Sequence, residues 1–472
     1  MAAAIHAAAQ NPFVQTWFTS DPAPMVHNGT MYVYTGHDED GADFFWMQEW
    51  RVYSTQDMVN WQDHGSPLAL ESFRWADDRA WASQCVERGG KFYWYICAHC
   101  RESGGMAIGV AVSDSPTGPF CDAIGKPLYT DKKWDHIDPT VVIDDNDQAW
   151  IMWGNPQIYY AKLNADMVSI DGEVKQLPMT EEAFGGPIMS QREKGKKYKD
   201  SYVEGPWLMR LPGKSGNSGK SGPPYRPAPY ALLYAAGGVP EHISYSTAPS
   251  VEGPWTYAGE VMPLSDTKSF TNHCGVADYK GHSYFFYHTG KLPGGGGFGR
   301  SVAVEEFQYN KDGSLPTILP TDEGVKPVAT FNPYRRVEAE TMAWGFGLKT
   351  AKMGIENTGV VANMPESTGR RNMYVFDIND NEYISLRGVD FGWKGAKKFS
   401  INAAAQGSCT VTLRLDSPDG PVVGTATVKS TDSADKYRTF NAKVKGATGV
   451  HDLYLCFSQA SGDVRLDWWQ FK

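Results

Sequence analysis

Along the first two thirds of the chain, hydrophobic positions fall into short runs that alternate large aromatic or aliphatic residues with small or polar ones. The clearest are Met31-Tyr-Val-Tyr-Thr35, Lys91-Phe-Tyr-Trp-Tyr95, Gln148-Ala-Trp-Ile-Met152, Tyr230-Ala-Leu-Leu-Tyr234 and Ser283-Tyr-Phe-Phe-Tyr287. Alternation with a period of two predicts strands. The runs recur roughly every 50 to 60 residues, with one interval of about 80, and each opens a block of further short strands. Second-strand echoes follow three of them, at Arg51-Val-Tyr-Ser-Thr55, Ala107-Ile-Gly-Val-Ala111 and Ile243-Ser-Tyr-Ser-Thr247. The last two lead into matching turns, S-P-T-G-P-F (115–120) and S-V-E-G-P-W (250–255). Radial repetition of this kind predicts a five-bladed β-propeller over residues 13–326.

The long interval holds Glu193 to Lys199 and a Gly/Ser/Lys/Pro stretch from Pro212 to Pro229. Neither can form core, so both read as an exposed insertion in the fourth blade. The pattern breaks in G-V-K-P-V-A-T-F-N-P-Y (324–334), which sets a linker at 327–333. Beyond it Val411-Thr-Leu-Arg-Leu415 and Leu453-Tyr-Leu-Cys-Phe457 alternate differently, and the tail, 334–472, is sized for a β-sandwich of jelly-roll type. The expected fold class is therefore all-β, a propeller followed by a sandwich. Residues 1–12 open on small, Ala-rich sequence and read as a trimmed secretion signal or an expression scar. No stretch approaches the roughly 20 continuous apolar residues of a membrane span.

Composition narrows the partner. The 472 residues carry 44 basic and 54 acidic side chains, a balance that argues against wrapping nucleic acid or docking on anionic lipid. A neutral polymer suits it better. Aromatic residues make up 13%, including 16 Trp and 24 Tyr, and their flat apolar surfaces match the C–H faces of sugar rings. Seven Cys lie without dense or regular spacing, so the chain is not a disulfide scaffold. Cys97 and Cys100 form a C-x-x-C inside a strand-like run with no partner pair, which does not support a zinc or redox site.

Three acidic residues stand beside or near prolines where strands are expected to begin: Asp21-Pro22, Asp138-Pro139 and Glu204-Gly205-Pro206. They fall in blades one, three and four. Innermost strands of a propeller line its central channel, so carboxylates at equivalent positions converge there, and proline fixes the backbone that presents them. Each D-P taken alone is an ordinary turn signal. Together they offer the pair that glycosidic hydrolysis needs, one protonated carboxyl for the leaving group and one ionised carboxylate for water.

The chain resembles glycoside hydrolase family 43, and within it the arabinoxylan arabinofuranohydrolase branch, over about residues 13 to 326. The resemblance rests on F-T-S-D-P-A-P-M-V (18–26), Y-T-G-H-D (34–38), Y-S-T-Q-D-M-V-N-W (53–61), W-A-S-Q (81–84), H-I-D-P-T-V (136–141), V-E-G-P-W (203–207), F-T-N-H (270–273) and G-R-S-V (299–302). It implies that Asp21 is the general base, Glu204 the general acid, and Asp138 the residue that orients the acid and modulates its pKa, with inversion as the outcome. It also implies that Arg300 reaches into the pocket and that His273 lies near a calcium in the channel. Trp81 is a candidate pocket wall. The segment G-G-V-P-E-H (237–242) and the glycines 294–297 read as rim loops, with His242 a candidate sugar contact.

The tail resembles family 6 carbohydrate-binding modules, from V-E-A-E (337–340) through V-D-F-G (389–392) and L-R-L-D-S (413–417) to H-D-L-Y-L (451–455) and L-D-W-W-Q-F (466–471). By that resemblance Glu338, Glu340 and Asp467 hold a structural calcium, a hard cation that takes oxygen ligands. The loop before the last strand, S-G-D-V-R, departs from the family, which places an aromatic and an asparagine there; Arg465 stands in the asparagine's place. Tyr437 and Trp393 remain as stacking candidates.

The leading expectation is a secreted, monomeric, inverting hydrolase releasing α-L-arabinofuranose from xylan-derived polysaccharide or oligosaccharide. A β-xylosidase or bifunctional enzyme is the alternative. A non-catalytic glycan-binding propeller and a retaining enzyme on fructans stand further off.

Overall fold

The computed structural model describes residues 10–191, 193, 194, 196, 198–212, 229–353 and 372–472. The stretch 213–228 of the expected insertion and the first nine residues lie outside the described residues. The fold is all-β. From residue 19 to 307 the strands form five successive antiparallel sheets, and the tail adds two more.

Each of the five sheets has one strand that meets those of its neighbours: Thr19–His27, Ser83–Arg88, Thr140–Ile143, Tyr202–Arg210 and Gly275–Tyr279. These strands pack one on the next in order, and the fifth packs back on the first. The aromatic runs, expected to open their blades, are instead second strands: Thr30–His37, Lys91–Cys100, Ala149–Trp153, Tyr230–Ala236 and His282–Thr289. The physical reason is crowding. Five strands meeting at one centre leave room for small, polar and charged side chains, while the next strand out is covered on both faces by neighbouring sheets and takes the large rings. Trp94, Trp153, Tyr234 and Phe286 are accordingly fully buried.

The tail folds round its own core, with Trp469, Phe399, Leu413 and Leu455 buried between two sheets. The two runs noted in the sequence lie in neighbouring strands, Ser408–Leu415 and Val450–Ser461, with Leu413 opposite Leu455.

The junction between the two bodies is closely built. The stretch read as a linker is not free, because Phe331 packs into the tail's core and exchanges backbone hydrogen bonds with Gly388 and Asp390. The tail's short strand Thr341–Met342 pairs with Trp61–Asp63 and so extends the first sheet. Buried Asp63 holds Arg51 at 2.9 Å and accepts from the Thr350 hydroxyl at 2.7 Å, and Trp17 Nε1 donates to that same hydroxyl at 2.8 Å. Residues 10–12, the end of the stretch read as a signal remnant or expression scar, are also part of the fold. Gln10 and Asn11 are buried and donate to the carbonyls of Val59 and Val304.

Candidate active site

The prolines explain how the three carboxylates reach the centre. Proline has no N–H to give to a ladder, so strand pairing slips where one occurs. Between the first two strands the register shifts from Ser20 to Ala23, leaving Asp21-Pro22 out of the pairing. In the fourth sheet it shifts on either side of Glu204, past Gly205-Pro206. Asp21 and Asp138 take left-handed backbone, at φ 51° and 59°. That conformation is uncommon for a residue with a Cβ, and strain of this kind gathers where a side chain must be aimed. Gly205 has φ 61°, and a Cβ there would stand 2.9 Å from the His273 ring.

All three carboxylates converge on His273. Its Nδ1 lies 3.3 Å from Asp21 Oδ1, and its Nε2 lies 3.3 Å from Glu204 Oε1 and 3.8 Å from Asp138 Oδ2. Asp21 is further held by the Ser20 hydroxyl at 2.9 Å and by Arg300 at 3.3 Å, and its own N–H donates to His288 Nδ1. Glu204 Oε2 accepts from the Asn155 amide at 2.6 Å. Asp138 Oδ2 accepts the Gly205 N–H at 3.0 Å, which ties one carboxylate to the backbone beside another.

These contacts divide the acids electrically. Burial alone would raise Asp21, but Arg300, His273 and His288 outweigh it and hold the carboxyl at about 2. Asp138 is pushed the other way: burial, reinforced by the charges of Glu204 and Asp21 against the attraction of His273, takes it up to about 7. Glu204 stays below its ordinary value, since bonds from His273 and Asn155 outweigh its burial. His273 resists burial because three anions surround it, and it rises to about 10. Burial and the neighbouring Glu204 also raise Glu241, so the cluster as a whole favours holding protons.

A pocket of about 310 Å³ opens above this cluster, with Phe44, Phe45, Trp81, Trp134 and Arg300 in its walls. Trp81 is fixed by an Nε1 bond to the Phe45 carbonyl at 3.0 Å. Arg300 is gripped by both oxygens of buried Asp38, at 2.8 and 2.9 Å, and lies over the Phe45 ring. Below the carboxylates a void of about 20 Å³ is lined by residues of all five sheets, among them Pro22, Gln84, Pro139, Pro206 and Cys274.

His242 does not belong to this pocket. It is buried, its Nε2 lies 2.8 Å from Asp200 Oδ1, and Gly237 packs on its ring, so it has no route to a sugar. Several contributors escaped the sequence reading: Asn155, Asp38, His288 and Trp134. Asp38 lay inside the quoted Y-T-G-H-D, and Asn155 stands before a proline as two of the carboxylates do. His288 carried no signal of its own.

The metal expectations fare unequally. Asp138, Glu204 and His273 bring ligand atoms within 4.8 Å of one another. Both imidazole nitrogens of His273 face carboxylates, so a cation held by Asp138 and Glu204 would take over contacts that the ring makes here. In the tail Glu338 is paired with Arg336 at 2.8 Å, and Asp467 accepts from Arg336 and Asn372. Glu340 is buried with one carboxyl oxygen unpartnered.

The family model described as glycosyl hydrolases family 43 matches residues 9–315. The chain belongs to that family. A second model, carbohydrate binding module (family 6), matches 338–472. Among family 43 relatives, an arabinoxylan arabinofuranohydrolase of Bacillus subtilis is 30% identical over 99% of this chain and 93% of its own length. A xylosidase/arabinosidase of Bacteroides ovatus is 29% identical over 65% of this chain and 96% of its own. A crystal structure of a family 43 arabinoxylan arabinofuranohydrolase from Bacillus subtilis in complex with cellotetraose covers 98% of both chains at 27% identity, with a TM-score of 0.78. As a member of family 43 the protein is a glycoside hydrolase, and its carboxylate cluster is the one place among the described residues where that chemistry has its parts together.

Proposed function

We propose that this protein is an inverting hydrolase that removes α-L-arabinofuranose from arabinoxylan or its oligosaccharides, with Asp21 as general base, Glu204 as general acid and Asp138 as the residue that orients the acid and modulates its pKa. The observation that carries this is the set of three carboxylates held round one imidazole at the foot of a pocket. Asp21, ionised at any ordinary pH, is fitted to draw a proton from water. Glu204 lies on the other side of His273, and carboxyl groups kept apart by an intervening ring leave the space for water that inversion requires. Asp138, bonded to the backbone next to Glu204, fixes the acid's position, and its charge favours a proton on the pair. Arg300, clamped by Asp38, is aimed at sugar hydroxyls.

The reading takes the five sheets as the blades of a five-bladed propeller, supported by the closed order in which their inner strands pack. It takes residues 13–326 as catalytic domain and 334–472 as module. Calcium belongs to it in the tail, where the unpartnered oxygen of buried Glu340 beside Glu338 suits a hard cation whose role is to brace the two chain ends. Export fits a polymer substrate.

The substrate is supported by the relatives named for arabinoxylan across nearly the whole chain. Those named xylosidase/arabinosidase favour a second reading, xylose release. Sugar release by wild type and Glu204→Gln on arabinoxylan, linear xylo-oligosaccharides and both aryl glycosides separates them. Arabinose from the polymer, lost in the variant, supports debranching; xylose from linear oligomers replaces it with a xylosidase; no release from any substrate overturns both.

A further inference from the structure

Among the described residues, one further group of metal-ligating side chains lies away from the catalytic carboxylates: Asp200, His242 and Glu260, all on the fourth sheet. His242 opens the strand His242–Ala248, Glu260 lies in the neighbouring strand Thr256–Met262, and Asp200 stands just before Tyr202–Arg210. The register explains why they meet. Tyr202 pairs with Ala236 and Ala236 with His242, while Ser244 pairs with Glu260, so all three fall at one end of the sheet, the end at which Glu204 enters. His242 Nε2 lies 2.8 Å from Asp200 Oδ1 and 3.8 Å from Glu260 Oε2, and ligand atoms of the three stand within 4.8 Å of one another.

Zinc bonds imidazole nitrogen and carboxylate oxygen at about 2.0 to 2.2 Å in a tetrahedron, which sets neighbouring ligand atoms roughly 3.3 to 3.6 Å apart. The two observed separations fall on either side of that spacing. The imidazole is buried and fixed, since Gly237, at φ 86°, packs so closely that a Cβ there would stand 2.7 Å from the ring. Behind the carboxylate of Asp200 the Ser244 hydroxyl donates to Oδ1 at 3.4 Å, the kind of outer contact that orients a ligand. Asp200 and Glu260 remain 16% and 24% exposed, so a cation can enter from solvent. The place already draws positive charge: the Lys199 ammonium lies 3.0 Å from Glu260 Oε2, on a side chain 72% exposed that is free to swing out into water. A nitrogen among the ligands favours zinc over calcium, which takes oxygen alone.

We propose that Asp200, His242 and Glu260 form a zinc site, with water in the fourth position. Binding releases the proton that His242 Nε2 shares with Asp200 and displaces Lys199 from Glu260. The site's work is to brace the active-site end of the fourth sheet from outside the pocket. Asp200 leads into the strand that carries Glu204 through Ser201, whose carbonyl accepts the Gly237 N–H at 2.8 Å. His242 follows Glu241, whose carboxylate accepts the Asn272 N–H at 2.8 Å, next to His273. A metal here joins both segments through side chains that touch no substrate.

The test is calorimetric titration of the whole protein with zinc chloride, beside Tm measured in zinc and in a chelator. Wild type is expected to bind one equivalent and to gain about 3 to 6 °C in Tm at a hundredfold excess over Kd. Glu260→Gln and Asp200→Asn, both at partly exposed positions, should each weaken binding by about tenfold or more and remove the gain, while their Tm in chelator stays within about 2 °C of wild type. Lys199→Ala should tighten binding, because it removes the competing ammonium; a merely structural ion pair would not respond in that direction. Cobalt(II) in zinc's place should give the strong visible absorption of a four-coordinate ion in wild type and lose it in Glu260→Gln. No saturable binding to wild type, or binding that survives both Glu260→Gln and Asp200→Asn, overturns the proposal. Binding lost in Glu204→Gln but kept in Glu260→Gln puts the metal among the catalytic carboxylates and overturns it as well.

Discussion

Two regions of this protein have the composition expected of sugar binding, the mouth of the five-sheet domain and the loop end of the tail, and the structure treats their rings in opposite ways. At the mouth Trp46 and Trp134 are braced from behind and left open in front. In the tail Arg465 lies 5.0 Å over the Tyr374 ring and is itself tied to Asp435 and Asp463, so ring and cation satisfy each other. Trp393 is 85% exposed with only Lys394 beside it. A ring serves a ligand when its surroundings hold it still and leave a surface free, a condition composition cannot report.

The comparison makes the catalytic mouth the sole site of turnover, and the largest effect should come from its acid. Glu204→Gln should cost about 10³-fold in kcat, within the range of general acid catalysis, measured on an aryl arabinofuranoside. Asp138→Asn should follow at about 10²-fold and change the pH profile. In wild type the Asp138–Glu204 pair must hold one proton, so kcat/KM should fall as pH rises through about 7, and that arm should move in the variant. On the acid side Asp21 stays ionised to about 2, so the lower arm should lie below the usual carboxylate range. A profile flat across pH 6 to 8 would remove Asp138 from its role.

A smaller effect should come from the charge behind the base. Arg300→Lys keeps the charge but loses the fork that Asp38 grips, and should lower kcat/KM about tenfold to a hundredfold, the scale of a misplaced reacting group. Asp63→Ala probes stability instead: it removes one of the two carboxylates paired with buried Arg51 and the acceptor of the Thr350 hydroxyl, and should cost about 1.5 to 3 kcal/mol in chemical denaturation. The smallest effect belongs to the tail. Trp393→Ala should alter kcat/KM on arabinoxylan less than about twofold, as an unbraced surface residue does; a large loss of polymer activity there would erase the contrast between the two regions.

The sequence disclosed the parts of this molecule that follow a local rule. Aromatic alternation marked the second strand of every sheet, and the D-P and E-G-P steps marked the bulges that present the acids. The inner strands were legible only through those steps, because strands such as Thr140–Ile143 carry few large residues. Asn155 and His288 are functional only through neighbours far away in the chain, and no pattern of spacing encodes that. His242 misled for the converse reason: beside a predicted rim loop it looked available, while its partner Asp200 was forty-two residues upstream. Thr341–Met342 is too short to show a period and pairs across the junction, so only three-dimensional structure could reveal it.

That two-residue strand bears on how the protein is made. A chain leaving the ribosome produces Trp61–Asp63 early and its partner strand Thr341–Met342 only after the whole five-sheet domain, tens of seconds later at roughly 5 to 20 residues per second. Until residue 342 emerges, the first sheet has a bare edge, the kind of surface through which nascent chains recruit one another. The tail is therefore the last piece of the catalytic body as well as a module behind it, and an expression strategy that truncates it would be expected to yield aggregate before it yields a smaller enzyme.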